Sequence, residues 1–231
     1  MKTLIITGAS SGIGLATAKL FLEDDFQVVN ISRRLCPLDE VHSIQCDLSQ
    51  EDFVSQLEPA LQPHLENSTR LSLIHNAAMY VNDSAVNAEI DVLRNALQIN
   101  ISAPHLLNKL CIPHMQPGSC ILYVGSTLGE KAVSGCFTYV TTKHAQIGMM
   151  KALCQDLANT HIHTANICPG FTDTEMLRAH VPSDQLDNVA KLSTMGRLVE
   201  PEEIARCLKF VSENPSLNGA VIHANLGQVE S

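Results

Sequence analysis

Seven short apolar runs, set apart by segments of helical period, constrain this chain more than any other feature. The runs are TLIIT (3–7), QVVNI (27–31), HSIQC (42–46), LSLIH (71–75), SCILYVG (119–125), IHTANIC (162–168) and GAVIHA (219–224). Helical patterns occupy about 12–24, 50–66, 85–115 with a break, 137–160, 174–192 and 201–213. Strands alternating with helices in this way predict an α/β chain, a doubly wound parallel sheet with helices on both faces. The runs are apolar at successive positions, as strands covered on both faces must be. One connection departs from the pattern. Only RRLCPLDEV (33–41) separates the second run from the third, too little for a full crossover helix, and a bare loop is expected there. No linker interrupts the composition, so residues 1–231 read as a single domain.

Composition narrows the function classes. The chain carries 15 Lys plus Arg against 24 Asp plus Glu, a net charge of −9. That balance argues against nucleic acid or an anionic membrane as partner. No run of 18 apolar residues occurs, and the apolar start MKTLIITGAS is too short for a signal peptide. The eight cysteines, Cys36, Cys46, Cys111, Cys120, Cys136, Cys154, Cys168 and Cys207, form no C-x-x-C pair, and several lie in apolar runs, where a reduced thiol packs as a small hydrophobe. The closest histidines, His161 and His163, have no cysteine or acid at ligand spacing, so no metal site is expected. The reading is a reduced, cytoplasmic protein.

Two motifs carry chemistry. TGASSGIG (Thr7 to Gly14) follows the first strand and opens the first helix. Gly8, Gly12 and Gly14 permit a tight turn, close approach of a phosphate and close packing of helix on strand, while the helix N-terminus offers free N–H groups to a pyrophosphate. After the second strand stand Arg33 and Arg34, with no carboxylate before Asp39. A guanidinium suits a 2′-phosphate, so NADP(H) is preferred and NAD(H) stays possible. Further on, Tyr139 and Lys143 are four apart and share a helix face. An ammonium beside a phenol lowers its pKa and fits the Tyr for proton exchange with an alcohol oxygen. Ser126 follows an apolar strand at the end where open α/β sheets bind ligands.

These residues in this order resemble the short-chain dehydrogenase/reductase family over nearly the whole chain, closest in pattern to its 3-oxoacyl-carrier-protein reductase-like members. The resemblance implies a Rossmann-like fold and a cofactor site at Gly8, Ser10, Ser11, Gly12, Ile13 and Gly14. It adds Asp47 and Leu48 against adenine, Asn76, Ala77 and Ala78 beside adenine and ribose, and Pro169, Thr172 and Thr174 toward the nicotinamide and pyrophosphate. Arg33 falls where cofactor preference is set. It implies a catalytic set of Asn100, Ser126, Tyr139 and Lys143. Tyr139 would exchange the proton, Ser126 would hold the carbonyl oxygen, Lys143 would bind ribose and lower the Tyr pKa, and Asn100 would position a water against the Lys. The chain departs from the family at His75 and Ala78, usually Asn and Gly, and at Leu226, where two glycines are usual. Ser11 stands where some NADP-preferring members carry a basic residue.

The implied activity is interconversion of a carbonyl and a secondary alcohol. A non-catalytic NADP-sensing or interaction protein on the same fold, an NAD-dependent diol or alcohol dehydrogenase, and a nucleotide-sugar epimerase or dehydratase are the alternatives; the last needs a C-terminal substrate domain for which this chain leaves no room. A substrate lid is expected at about 171–195, with Met176, Leu177, Val181 and Leu186 as covering side chains, and Met79, Tyr80, Leu128 and Phe137 as pocket candidates. The partner is a small-molecule substrate whose identity the sequence leaves open. A homodimer or homotetramer is expected, with Ala145, Gly148 and Ala152 allowing close helix packing.

Overall fold

The computed structural model describes residues 1–228. Seven strands, β1 (Lys2–Thr7), β2 (Gln27–Ser32), β3 (His42–Gln45), β4 (Arg70–His75), β5 (Cys120–Val124), β6 (His163–Pro169) and β7 (Val221–Ala224), form one sheet in the order β3-β2-β1-β4-β5-β6-β7. Every pairing is parallel. All seven runs read as strands in the sequence are strands here, with ends shifted by one or two residues.

The helices are α1 (Gly12–Leu22), α2 (Phe53–Glu66), α3 (Ile90–Leu97), α4 (Ala103–Cys111), α5 (Phe137–Asp156), α6 (Glu175–His180), α7 (Leu186–Ala190) and α8 (Pro201–Glu213). Strand alternation sends neighbouring side chains to opposite faces. Leu4, Ile6, Val28, Leu122 and Ile167 pack with Ala18 and Phe21 of α1 and Ile204 and Leu208 of α8. Ile5, Val29, Ile31, Leu73 and Ile121 pack on the other face with Leu57 and Leu61 of α2, Leu107 of α4 and Met150 of α5. Two apolar layers therefore sandwich the sheet, and the chain is a single Rossmann-like domain.

Three details differ from or sharpen the sequence reading. The 33–41 connection between β2 and β3 holds no helix, as its length required. The break expected inside 85–115 is no gap: between α3 and α4 the chain winds one π turn, Gln98–Ser102, and stays helical. The helix expected over 174–192 is interrupted. It stops at His180, and after Pro182, which lacks an N–H to continue it, the chain makes a single tight turn before α7.

Sheet order reverses direction between β1 and β4. The crevice beyond the strand ends at that switch point is where open α/β sheets bind ligands. Isolated parallel bridges, Asp83 to Cys136 and Thr172 to Val199, draw loops together. Asp83 also accepts the Thr138 N–H with its carboxylate (2.9 Å), holding the first turn of α5.

Candidate active site

A cavity of about 1070 Å³ runs across the strand ends. At one end is the glycine turn. Gly8 and Gly12 have φ of 76° and 55°, left-handed values that favour glycine. The turn is pinned to β2 by Gly8 N–H donating to the Ile31 carbonyl (3.0 Å) and Ala9 N–H donating to Asn30 Oδ1 (2.8 Å). Ser11 occupies the N-cap of α1 without a side-chain capping bond. Ser10, Ser11, Gly12 and Ile13 line the cavity with Gly8. Gly14 does not. It lies beneath, where an added Cβ would sit 2.3 Å from the Gly8 carbonyl and 2.6 Å from Asn76 Nδ2.

Asn76 braces this turn. Its Nδ2 donates to the carbonyls of Thr7 and Gly8 (3.0 Å each), and the Asn76 and Ala77 N–H groups donate to Thr7 Oγ1. Ala77 and Ala78 line the cavity, and Ala78 lies outside the left-handed region, so its methyl group adds no backbone strain. His75 is turned away into the core. It is 1% exposed, donates from Nε2 to Asn108 Oδ1 (2.7 Å) and stacks on Tyr123. Burial pushes its pKa down to about 4, so it stays neutral. The family departure at this position is a matter of core packing.

Asp47, Leu48, Arg33 and Arg34 form the far wall. Asp47 accepts the Ser49 N–H (3.0 Å), which with the nearby Arg33 holds its carboxyl below the usual range. Arg34 reaches back to Ser11 Oγ (3.2 Å) and pairs with Glu175 (2.8 Å), holding that carboxyl low. A guanidinium thus stands beside Ser11, where the sequence showed no basic residue. Glu175 was missed because its partner lies 141 positions away. Pro169, Thr172 and Thr174 line the cavity after β6. The Thr172 hydroxyl donates to the Gly170 carbonyl (3.0 Å); Thr174 Oγ1 accepts the Leu177 N–H (3.2 Å) and caps α6.

At the other end are Ser126, Tyr139 and Lys143. Ser126 follows β5 after Gly125, where an added Cβ would strike Asn166 Oδ1 at 2.0 Å. Its Oγ accepts the Leu128 N–H (3.1 Å) and hydrogen-bonds the Tyr139 phenol. Lys143 Nζ lies 5.5 Å from the Tyr139 ring centre and donates to the Val124 carbonyl (2.9 Å). Burial dominates both groups. It raises Tyr139 to about 12 against the Ser126 bond, and lowers Lys143 to about 8. This differs from the expectation that Lys143 depresses the Tyr: in the protein alone, burial is the largest influence on the phenol and it raises the pKa.

Asn100 sits in the π turn and is 1% exposed, outside the cavity lining. Its Oδ1 accepts the Met79 N–H (2.8 Å) and its Nδ2 donates to the Met79 carbonyl and Thr142 Oγ1 (3.0 Å each). The side chain is fully engaged, which leaves any water contact to its main chain. Of the pocket candidates, Met79, Tyr80 and Leu128 line the cavity and so do Met176, Leu177 and Val181, whereas Phe137 and Leu186 do not. Phe137, at the start of α5, is 42% exposed. Tyr80 stacks between Tyr139 and His180 (4.8 and 4.6 Å between ring centres). His180, on α6, had no signal in the sequence.

The family model described as short chain dehydrogenase matches residues 2–185. Relatives include carbonyl reductase family member 4 of Xenopus tropicalis, 28% identical over 96% of this chain and 95% of that one. Ipsdienol dehydrogenase of Ips pini is 30% identical over 94% and 92%, and mouse (Mus musculus) 3-oxoacyl-[acyl-carrier-protein] reductase is 28% identical over 96% and 95%. Among solved structures, a short chain dehydrogenase family protein from Francisella tularensis superposes with a TM-score of 0.90 at 24% identity, covering 98% of each chain. ElxO with NADP bound (TM-score 0.87, 23% identity, 98% of each chain) and 4-hydroxyisoleucine dehydrogenase complexed with NADH (0.84, 24% identity, 98% of each chain) share the fold. On the family match, which spans most of the sheet and the whole Ser–Tyr–Lys constellation, this chain belongs to the short-chain dehydrogenase/reductase family, oxidoreductases acting between carbonyl and alcohol with a nicotinamide cofactor.

Proposed function

We propose that the chain is an NADP(H)-dependent oxidoreductase interconverting a carbonyl and a secondary alcohol, with Tyr139 as general acid and base. The observation that carries this reading is the opening of Ser126, Tyr139 and Lys143 onto the same cavity as the glycine turn. The residues fit a dinucleotide: a turn with left-handed glycines at Gly8 and Gly12, a helix N-terminus lacking a side-chain cap, and guanidinium groups beside the second strand. Gly8, Ser10, Ser11, Gly12 and Ile13 would hold the pyrophosphate, with Gly14 packing beneath. Asp47, Leu48, Asn76, Ala77 and Ala78 would flank adenine and its ribose. Lys143 would hold the second ribose, and Pro169, Thr172 and Thr174 the carboxamide. A bound nicotinamide supplies or takes the hydride at the carbonyl carbon.

The chain's own work is on the proton. With its pKa near 12, Tyr139 holds the phenolic proton at neutral pH and can give it to a carbonyl oxygen that accepts hydride at carbon. Ser126 holds that oxygen beside the phenol. The Lys143 ammonium stabilises the phenolate left behind, and the main chain of Asn100 in the π turn is suited to a water that returns the proton. Alcohol oxidation uses the same groups in reverse. The segment 171–195 serves as lid, with Met176, Leu177 and Val181 over the substrate. Exposed Ala145, Gly148 and Ala152 on α5 support a homodimer or homotetramer, and eight free thiols support a reducing, cytoplasmic setting.

Arg33 carries the preference for the 2′-phosphate, because Arg34 is engaged by Ser11 and Glu175. The Glu175 carboxylate favours a second reading, NAD(H), since it opposes a phosphate there. Titration with NADPH and NADH, followed by cofactor fluorescence, decides between them; NADPH is expected to bind at least tenfold tighter. Tyr139→Phe is expected to keep NADPH affinity within twofold and to lose at least ~100-fold in turnover. Undiminished turnover in that variant would overturn the mechanism.

A further inference from the structure

The charges that line the cleft are segregated. Among the described lining residues they are Arg33, Arg34, Asp47, Glu175 and Lys143, with the imidazole of His180 in the same lining. Arg33 and Arg34 follow β2 and Asp47 follows β3, while Ser126 follows β5. Sheet order puts three strand spacings between β2 and β5, ~14 Å at about 4.8 Å per strand. Glu175 faces that far end, held by Arg34 at 2.8 Å.

Near Tyr139, Lys143 is 2% exposed and its ammonium is bound to the Val124 carbonyl, so it is shielded from a substrate's far end. His180 hydrogen-bonds the Met176 carbonyl through Nδ1 (2.8 Å) and sets its ring against Tyr80. Lys131 and Glu130 stand outside the lining, Glu130 paired with His223. The remaining wall is made by Leu128, Val133, Phe171, Met176, Leu177 and Val181, and polar lining residues such as Asn95 and Thr127 carry no charge. At the mouth, Val133 and Met176 are 51% and 41% exposed, apolar surface that a bound apolar body would cover.

We infer that the substrate half of this cleft takes an uncharged, mainly apolar ketone or secondary alcohol and rejects one that carries a carboxylate or phosphate away from the reacting carbon. A fixed anion placed there loses its water and, among the described lining residues of this half, meets no lysine or arginine that is not already engaged. This deepens the reductase reading above and rests on it. Hydride from the reduced nicotinamide to the carbonyl carbon and the Tyr139 proton to its oxygen give the alcohol and the oxidised cofactor; the far end of the substrate takes no part, so its charge acts only through binding.

The test uses the full chain with NADPH and three pairs of ketones, each neutral compound matched to its carboxylate: 2-octanone with 7-oxooctanoate, 4-methylcyclohexanone with 4-oxocyclohexanecarboxylate, and propiophenone with 4-propionylbenzoate. In the pair that turns over fastest, kcat/KM is expected to favour the neutral ketone by at least 100-fold. Met176→Lys, at an exposed position on the lid, is expected to raise kcat/KM for the carboxylate partner at least tenfold while NADPH affinity stays within twofold. Carboxylates reduced as well as the neutral ketones by the unaltered protein, or a ratio unmoved by Met176→Lys, would overturn the substrate class and leave the reductase reading standing. NADPH bound but none of the six reduced would overturn the reductase reading and this inference with it.

Discussion

Lys143 is a nearly buried cation on the wall of the cleft, 2% exposed. Burial lowers its pKa to about 8, so it is charged below that pH and neutral above it, whereas an unfolded lysine stays charged to about 10.4. Between those values the unfolded chain binds more protons than the folded one, so this group makes the fold more stable as pH rises. Cofactor binding should move the opposite way, because the ammonium is the group proposed to hold the ribose. NADPH affinity is expected to fall at least threefold from pH 6.5 to 9.5, with Lys143→Met weaker throughout and flat across the range. Fluorescence titration at each pH checks this, and a melting curve at pH 9.5 separates lost affinity from unfolding. A flat profile for the unaltered protein would show that the ammonium does not titrate there. The spacing of Tyr139 and Lys143 was legible in the sequence. The depth of their burial was not, because it is set by groups distant in sequence, Tyr80 against the Tyr139 ring and the Val124 carbonyl on the Lys143 ammonium, so the upward shift of Tyr139 left no local signal.

Elements whose signal is local were read correctly. Each strand is an apolar run bounded by turn residues, and the 33–41 connection was too short to hide a helix. The π turn at Gln98–Ser102 leaves no such mark, because one extra residue in a helical turn shifts periodicity by less than the sequence pattern resolves. The break after α6 hinged on Pro182, which apolar periodicity on either side obscured. The contact of α1 with β1 shows how a motif constrains an element. Gly14 lies on the first turn of α1, and a methyl group there would meet the Gly8 carbonyl, Asn76 Nδ2 and Ala9 Cα within 3 Å. Two of these are backbone atoms of the turn itself, so relief requires α1 to move off β1. Gly14→Ala is expected to cost ~1–3 kcal/mol in a urea melt and to weaken NADPH more than tenfold, since the shift opens the turn. Wild-type affinity in this variant would show that the turn adapts without disturbing the proposed pyrophosphate site.

At the scale of the whole molecule, α5 presents two unlike faces. Tyr139, Thr142, Lys143, Gln146, Ile147 and Met150 are buried toward the sheet. Ala145, Gly148 and Ala152 are exposed on the other side, and an added Cβ at Gly148 would meet nothing within 4 Å. A solvated helix surface usually carries long charged side chains, and a run of small residues lets another helix approach closely instead. A second copy of the chain, related by a twofold axis, would set this stripe against itself. Sedimentation at micromolar concentration is expected to give twice or four times the mass of a single chain. Gly148→Arg, which fits the free protomer because the site is open, is expected to shift that mass toward one chain without lowering the far-ultraviolet helical signal. A single-chain mass for the unaltered protein would remove the oligomer. An unchanged mass for Gly148→Arg would move the interface off α5, because an arginine cannot be packed where two helices touch at a glycine.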